Sequence, residues 1–514
     1  MNNANLFAAI RAAFPNDLDA VAIESADSST GATLKRYTWR ELDEHTARIA
    51  NLLAALKLPA DSRIAVQTEK SVEALMLYLA VLRAGYVYLP LNTAYQASEI
   101  EYFIGNAEPA VVVCAPKSQA WIQPIADAAK VTRVFTLDDI GGGSLIDAAA
   151  THASTHSIAE KTADALAAIL YTSGTTGRSK GAMLTHNNLL SNALTLKDYW
   201  GWSAQDVLIH ALPIFHVHGL FVASHCALLS GAKMIWLAKF DPNAVIASLP
   251  EATVFMGVPT LYVRLLADAR LTLARCKNMR LFVAGSAPLL IETFNEWQER
   301  TGHTILERYG MSETAMLTSN PYDAAHGQRR GGTVGFPLPG VSVRVSDDKG
   351  SPCPVNVIGG IEVRGPNVFP GYWRMPEKNK EEFTPDGWFK TGDVGKTDER
   401  GYVVIVGRSK DLIISGGYNV YPAEIEGYLN DMPGVAESAV IGVPHPDFGE
   451  VGVAVVVAKS GSTLACAAML ANLKANIANF KVPKRVFIVA DLPRNAMGKV
   501  QKNVLRAEHE KLFG

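Results

Sequence analysis

Residues 171–181 read Tyr-Thr-Ser-Gly-Thr-Thr-Gly-Arg-Ser-Lys-Gly. Thr172, Ser173, Thr175 and Thr176 bring hydroxyls, Gly174 and Gly177 let backbone N–H groups approach an oxyanion, and Lys180 adds a cation. That set suits a polyphosphate. A strand-like apolar stretch, residues 167–171, leads in, and a helix-like run follows. A plain flexible loop is the alternative, and the density of hydroxyls before a terminal lysine argues against it. No Gly-Lys-Ser/Thr closes the loop, which separates it from the P-loop of nucleoside triphosphatases. The five cysteines, Cys114, Cys226, Cys276, Cys353 and Cys466, form no Cys-x-x-Cys pair. They read as scattered reduced core thiols, not as a disulfide framework or a zinc site.

The elements that must hold such a loop follow from patterning. Thr38 with Glu41 three positions on forms a helix-starting capping box. Buried strands are expected at 63–66 and 110–114, with a helix over 71–84 between them. This β-α-β rhythm calls for parallel sheet. Residues 141–161 read as a linker. The rhythm resumes with strands at 167–171, 207–212, 233–237, 253–258 and 280–284, most of them running into Gly, Pro, Ser or His. Ligands gather at the carboxyl ends of strands in open α/β sheets, so these loops hold the expected site. Residues 340–407 change to short strands and turns, and a last unit starts after Arg408. The 514 residues exceed one ~150-residue domain about threefold. A formal charge of −2 gives no basic excess for nucleic acid or anionic membrane. No ~20-residue uncharged apolar stretch and no basic, apolar leader occur, so a cytoplasmic location without membrane association is expected.

Five ordered blocks resemble the acyl-adenylate-forming enzymes: acyl-CoA synthetases, luciferases and peptide-synthetase adenylation domains. They are the loop above, Arg308-Tyr309-Gly310-Met311-Ser312-Glu313-Thr314, Lys390-Thr391-Gly392-Asp393, Gly407-Arg408-Ser409-Lys410-Asp411, and Pro493-Arg494-Asn495-Ala496-Met497-Gly498-Lys499. Ser179 stands where the family often has Pro, and Ser312 where it has Thr. The resemblance implies an α/β multidomain fold. A large N-terminal adenylation domain, 1–407, would stack α/β subdomains with a small β subdomain. A hinge, 408–411, would join it to a small mobile α+β domain, 412–514.

By the same resemblance, ATP is held by Thr172, Ser173, Gly174, Thr175, Thr176, Lys180, Ser286, Ala287, Pro288, Arg308, Tyr309, Gly310, Met311, Ser312, Asp393, Arg408 and Lys499. Tyr309 would stack on adenine, Ser312 would contact the α-phosphate, and Glu313 would hold Mg²⁺, a tolerable neighbour for a nucleotide only with the cation between them. Asp393 can accept from both ribose hydroxyls; by itself it reads as a turn residue. Lys410 falls at the hinge and Gly417 beside the coenzyme A path. Lys499 is implied as the catalytic cation, with Lys180 and Glu313 assisting, because negative charge builds on the α-phosphorus as a carboxylate attacks.

Two further runs bear on the acid, Pro213-Ile214-Phe215-His216-Val217-His218-Gly219-Leu220 and Gly257-Val258-Pro259-Thr260-Leu261-Tyr262-Val263-Arg264. Arg264 and the histidines are poor company for an alkyl tail, since an unpaired buried cation is costly. They suit a short acid with a second carboxylate, and the runs most resemble malonyl-CoA synthetases. His216, Arg264, Ser286 and Met311 are the expected acyl contacts. The expected reaction joins malonate to coenzyme A at the expense of ATP. A ligase for another short or aromatic acid, or an adenylation module loading a carrier protein, is the alternative.

Overall fold

The structure is a computed structural model and describes residues 3–172, 179–416, 418–495 and 498–513. The chain divides into two compact units. One holds Met1–Ser342 with Arg364–Gly387, the other Val343–Val363 with Trp388–Gly514. The four-stranded sheet built from residues 342–408 thus clusters largely with the C-terminal residues, a different partition from one at 407/408.

Two sheets organise the first unit. A six-stranded sheet runs in the order Arg133–Thr136, Val111–Cys114, Arg63–Gln67, Val87–Pro90, Leu166–Thr172, Lys180–Thr185. Its pairings are parallel except the last. A nine-stranded sheet has a parallel centre, Leu306–Met311, Leu281–Ala284, Val254–Gly257, Val207–His210, Lys233–Leu237 and Val21–Ala26, flanked by antiparallel strands. Thr38 and Glu41 do form the capping box, heading helix Trp39–Ala55. Ser71 caps helix Val72–Arg83, which is apolar nearly all round and buried along its length. The two charges at its ends are paired: Glu73 accepts from the Tyr37 hydroxyl at 2.6 Å, and Arg83 meets Asp43 at 2.7 Å.

Two expectations need correction. The phosphate loop does not lead into a helix. Lys180 opens the edge strand Lys180–Thr185 opposite Thr172, and helix His186–Tyr199 begins only afterwards. Two antiparallel strands therefore flank the loop, and no helix N-terminus lies directly behind it. Residues 141–161 are not plain linker either, because Ser144–Ala150 is helical with Leu145 and Ala149 buried.

The second unit has two sheets. Gly359–Arg364, Phe389–Thr397 and Val403–Arg408 pair antiparallel, with Ser342–Ser346 at the edge. Asp393 lies inside the strand Phe389–Thr397, not at a turn. A five-stranded sheet centres on Val435–His445 and Gly449–Ala458, and helix Pro422–Asn430 packs on its core.

Within strand Leu306–Met311, Glu307 is buried, and burial pushes its carboxyl up to about 8 against hydrogen bonds from the Leu289 and Gly332 backbone. The folded chain then keeps a proton that the unfolded chain gives up above an ordinary value of 4.5. Stability from this group is full below that value and is lost as pH rises through about 8. Wild type should lose roughly 2 kcal/mol or more of stability between about pH 5 and pH 8 that Glu307→Gln does not lose. Urea melts at the two pH values check it, and parallel profiles would contradict it.

Candidate active site

Lys180 and Glu313 are brought together by a residue that motif reading missed. The segment after Phe369 pairs with the sheet edge: Tyr372 bridges Ala182, and the Trp373 N–H donates to the Gly181 carbonyl at 2.7 Å. Asn379 accepts from the Tyr372 N–H at 2.7 Å and holds the turn. Tyr372 is thereby fixed with its hydroxyl donating to Glu313 Oε1 at 2.9 Å. The Lys180 ammonium lies 4.2 Å from the same ring's centroid and 3.3 Å from Glu382. One buried tyrosine thus touches both the cation and the carboxylate. The only hint in sequence was the aromatic run Phe369-Pro370-Gly371-Tyr372-Trp373. Thr172 ends its strand with its hydroxyl 3.4 Å from the Lys180 carbonyl. Ser173, Gly174, Thr175, Thr176 and Gly417 lie outside the described residues.

A second group forms beyond the strand Leu281–Ala284. Ser286 holds φ +72°, a left-handed backbone that is strained for a residue with a Cβ and recurs at functional sites. Its hydroxyl is 3.4 Å from His218 Nδ1. Ala287 and Pro288 follow it. Gly285 leaves room for the Arg308 guanidinium, which a Cβ there would meet at 2.5 Å and push aside. Arg308 is 2% exposed, and its Nε and Nη2 have no hydrogen-bond partner among the described residues. Burial pulls its pKa down to about 9, with Tyr262 opposing. His218 is also fully buried with Nε2 unpartnered. Its imidazole is held well below the usual range, by burial first and then by the Arg308 cation. His216 is half-buried, and its Nδ1 accepts from the His218 N–H at 3.2 Å. Tyr309, Gly310, Met311 and Ser312 follow Arg308, half-buried, before buried Glu313.

The sequence reading puts Arg264 among the acyl contacts, and the structure leaves it exposed. It sits on helix Pro259–Leu266 but is exposed beside Val263, which is 50% exposed. The apolar face of that helix, Leu261, Tyr262 and Leu265, takes the core, and the spacing leaves position 264 outward. The buried cation of this region is Arg308.

In the second unit, Asp393 and Arg408 are register partners joined at 2.6 Å. Lys499 is exposed as a whole residue while its ammonium loses solvent, and Arg408, Asp393, Lys410 and Asp411 act on that ammonium electrostatically. Loss of surrounding solvent, then the Arg408 cation, holds it below the ordinary lysine range. Lys410 lies in the turn Ser409–Asp411, and Asp411 is tied to Arg506 at 2.5 Å.

Residues 11–373 match the AMP-binding enzyme family, and residues 424–499 match the AMP-binding enzyme C-terminal domain. The chain belongs to the AMP-binding enzymes. It is 35% identical to malonate–CoA ligase ACSF3, mitochondrial, of Mus musculus, over 91% of this chain and 86% of that protein. It is 35% identical to a feruloyl-CoA synthase from an Amycolatopsis species, over 94% of this chain and 97% of that protein. The crystal structure of ATP-bound MatB from Rhodopseudomonas palustris superimposes with a TM-score of 0.95, at 56% identity and 100% coverage of both chains.

A buried, unpaired guanidinium costs folding energy. Replacing buried charge by an apolar residue of similar size often stabilises by about 1–4 kcal/mol. Arg308→Met should therefore raise the melting temperature of the ligand-free protein. Differential scanning calorimetry checks this, and a clear fall would mean that Arg308 is paired at rest.

Proposed function

We propose that the protein is an ATP-dependent malonate–CoA ligase. Malonate, ATP and coenzyme A give malonyl-CoA, AMP and diphosphate through a malonyl-adenylate. The observation that carries this is Arg308, a buried cation whose nitrogens await a partner. A monocarboxylic acid reacts through its one carboxylate and leaves that cation unmatched. We read Arg308, which the family resemblance groups with ATP, as the partner of malonate's second carboxylate, which a guanidinium can bind bidentately. Exposed Arg264, which makes no ion pair among the described residues, is the outer candidate for the same charge. The resemblance to a feruloyl-CoA synthase favours an aromatic acid as the second reading, and a desolvated arginine in the pocket weighs against it.

The reacting carboxylate is ionised near neutral pH and needs no general base. It attacks the α-phosphorus, and diphosphate leaves. Lys180 exchanges Glu382 for the phosphates, Ser312 contacts the α-phosphate, Tyr309 with Ala287 and Pro288 borders the adenine, and Ser286 stands between the adenine and the acyl group. Gly310 and Met311 carry the backbone past the acyl group, with His216 and His218 beside it. Glu313, a buried carboxylate of the donor class that magnesium takes, would hold Mg²⁺, whose charge would offset that of the nucleotide. Asp393 and Arg408 receive the ribose, and Lys499 offsets charge at the α-phosphorus. The turn with Lys410 is the hinge between half-reactions, after which the coenzyme A thiol attacks the mixed anhydride and AMP departs. The loop with Gly417 borders its path.

Among the described residues no helix is long and apolar enough to cross a membrane. All five cysteines are unpaired, which suits a reducing compartment, the cytoplasm in our reading.

An acid panel tests the proposal: malonate, methylmalonate, acetate, succinate and benzoate, read by AMP release with ATP and coenzyme A. Malonate should lead. Losing one side of a buried charge pair costs ~3–5 kcal/mol, so Arg308→Met should lower kcat/KM for malonate roughly a hundredfold to a few thousandfold. Arg264→Ala should cost less, and acetate should change little in either variant. Equal falls for malonate and acetate would refute the dicarboxylate reading.

A further inference from the structure

Lys70 is a buried lysine that the reaction above does not use. It follows the strand Arg63–Gln67 of the six-stranded sheet, yet its ammonium reaches groups of the nine-stranded sheet. Nζ lies 2.7 Å from the His210 carbonyl, 2.7 Å from the Leu237 carbonyl and 2.9 Å from His210 Nδ1. The Trp236 ring centroid is 4.3 Å away. Among the described residues Lys70 makes no ion pair, and burial alone drives its pKa down.

Hydrogen-bond accounting fixes the protons. Carbonyl oxygens only accept, so Lys70 donates to both of them. The far nitrogen of the ring, His210 Nε2, is 3.0 Å from the Gly219 carbonyl and 3.0 Å from Ser224 Oγ. The Gly219 carbonyl also only accepts, and the Ser224 hydroxyl already donates to it at 2.9 Å. Nε2 therefore carries the ring proton, and Nδ1 is the bare acceptor of a third Lys70 donation. With three acceptors and an aromatic face, the ammonium is fully partnered despite its burial. A neutral amine would put the proton on Nδ1 and turn a bare Nε2 toward the Gly219 oxygen.

The far end of this chain of bonds is at the acyl group's side of the site. Gly219 belongs to the π-helical turn His218–Ala223, and a Cβ on it would come 2.1 Å from the Pro213 carbonyl. Gly219 is thus wedged at its Cα by the Pro213 carbonyl and held through its own carbonyl, in the 219–220 peptide, by His210 and Ser224. His218, one residue earlier, reaches Ser286 at 3.4 Å. π-Turns often mark functional positions.

We propose that Lys70 is a positioning residue for acid binding: its ammonium sets the His210 ring with the proton on Nε2, the ring holds the Gly219 carbonyl, and His218 is thereby aimed at the acyl group. This rests on the reading of His218 and Ser286 as acyl-side groups. A lysine merely gluing two sheets would alter stability and leave the balance between acid and nucleotide untouched.

The test uses the full chain. Lys70→Met keeps the length and removes the donors. The KM for malonate should rise about tenfold or more while the KM for ATP stays within about twofold. The ¹⁵N spectrum of His210 should lose its pure Nε2–H signature. A second pair covers poor folding of that variant. His210→Gln keeps an amide donor near the Nε2 position and should stay within about threefold of wild type, whereas His210→Leu should match Lys70→Met. Equal changes in both KM values, an unchanged tautomer, or equal behaviour of Gln and Leu would overturn the proposal. Wild-type turnover on the acid panel separates this from the substrate reading: if another acid is used, the same split is read on that acid's KM.

Discussion

Arg308 lies inside the protein with two guanidinium nitrogens unbonded, against a glycine that leaves it room. Water cannot repay that desolvation, and no carboxylate of the described residues pairs with it. The folded chain therefore carries an electrostatic debt that an anion can settle. Ser286 at a left-handed φ, buried neutral His218 and the bare floor at Gly285 all make sense around that cation. Preorganised charge in a desolvated interior acts strongly and needs no reorganisation.

The rest of the first unit keeps that arrangement and the phosphate-side group in register with their sheets. Parallel strands deliver Ser286 and Arg308 from neighbouring positions, Leu281–Ala284 and Leu306–Met311. The antiparallel edge pair Leu166–Thr172 and Lys180–Thr185 delivers Lys180, and the Tyr372 segment locks onto that edge. Tyr372 then links Lys180 to Glu313 through its ring and its hydroxyl. Strands, with the short segments that follow or bridge to them, place these groups, which is how a site holds geometry without ligand.

Much of this was legible in the sequence. Apolar periodicity located the parallel strands to within a few residues, and the Thr38–Glu41 box started its helix where expected. Motif order pointed to the family, and the structure puts Lys180 and Glu313 on one tyrosine and pairs Asp393 with Arg408. What was not legible depended on burial and on distant contacts. Arg264 and Arg308 are both arginines after apolar runs, and only packing shows that one faces out and the other in. Tyr372 meets Glu313 across 59 positions, so no spacing rule could join them. The Lys70 network spans 140 to 167 positions for the same reason. The strand start at Lys180 was mistaken for helix because its few residues carry no decisive period.

The central claim is that the pocket pairs a second carboxylate with buried charge. Non-hydrolysable sulfamoyl analogues of malonyl-adenylate and acetyl-adenylate differ there by that carboxylate alone. Their dissociation constants for the wild-type protein, by isothermal titration calorimetry, measure the claim without catalysis. The account predicts that the malonyl analogue binds roughly a hundredfold or more tighter, as expected for about 3 kcal/mol. Equal affinities would contradict it.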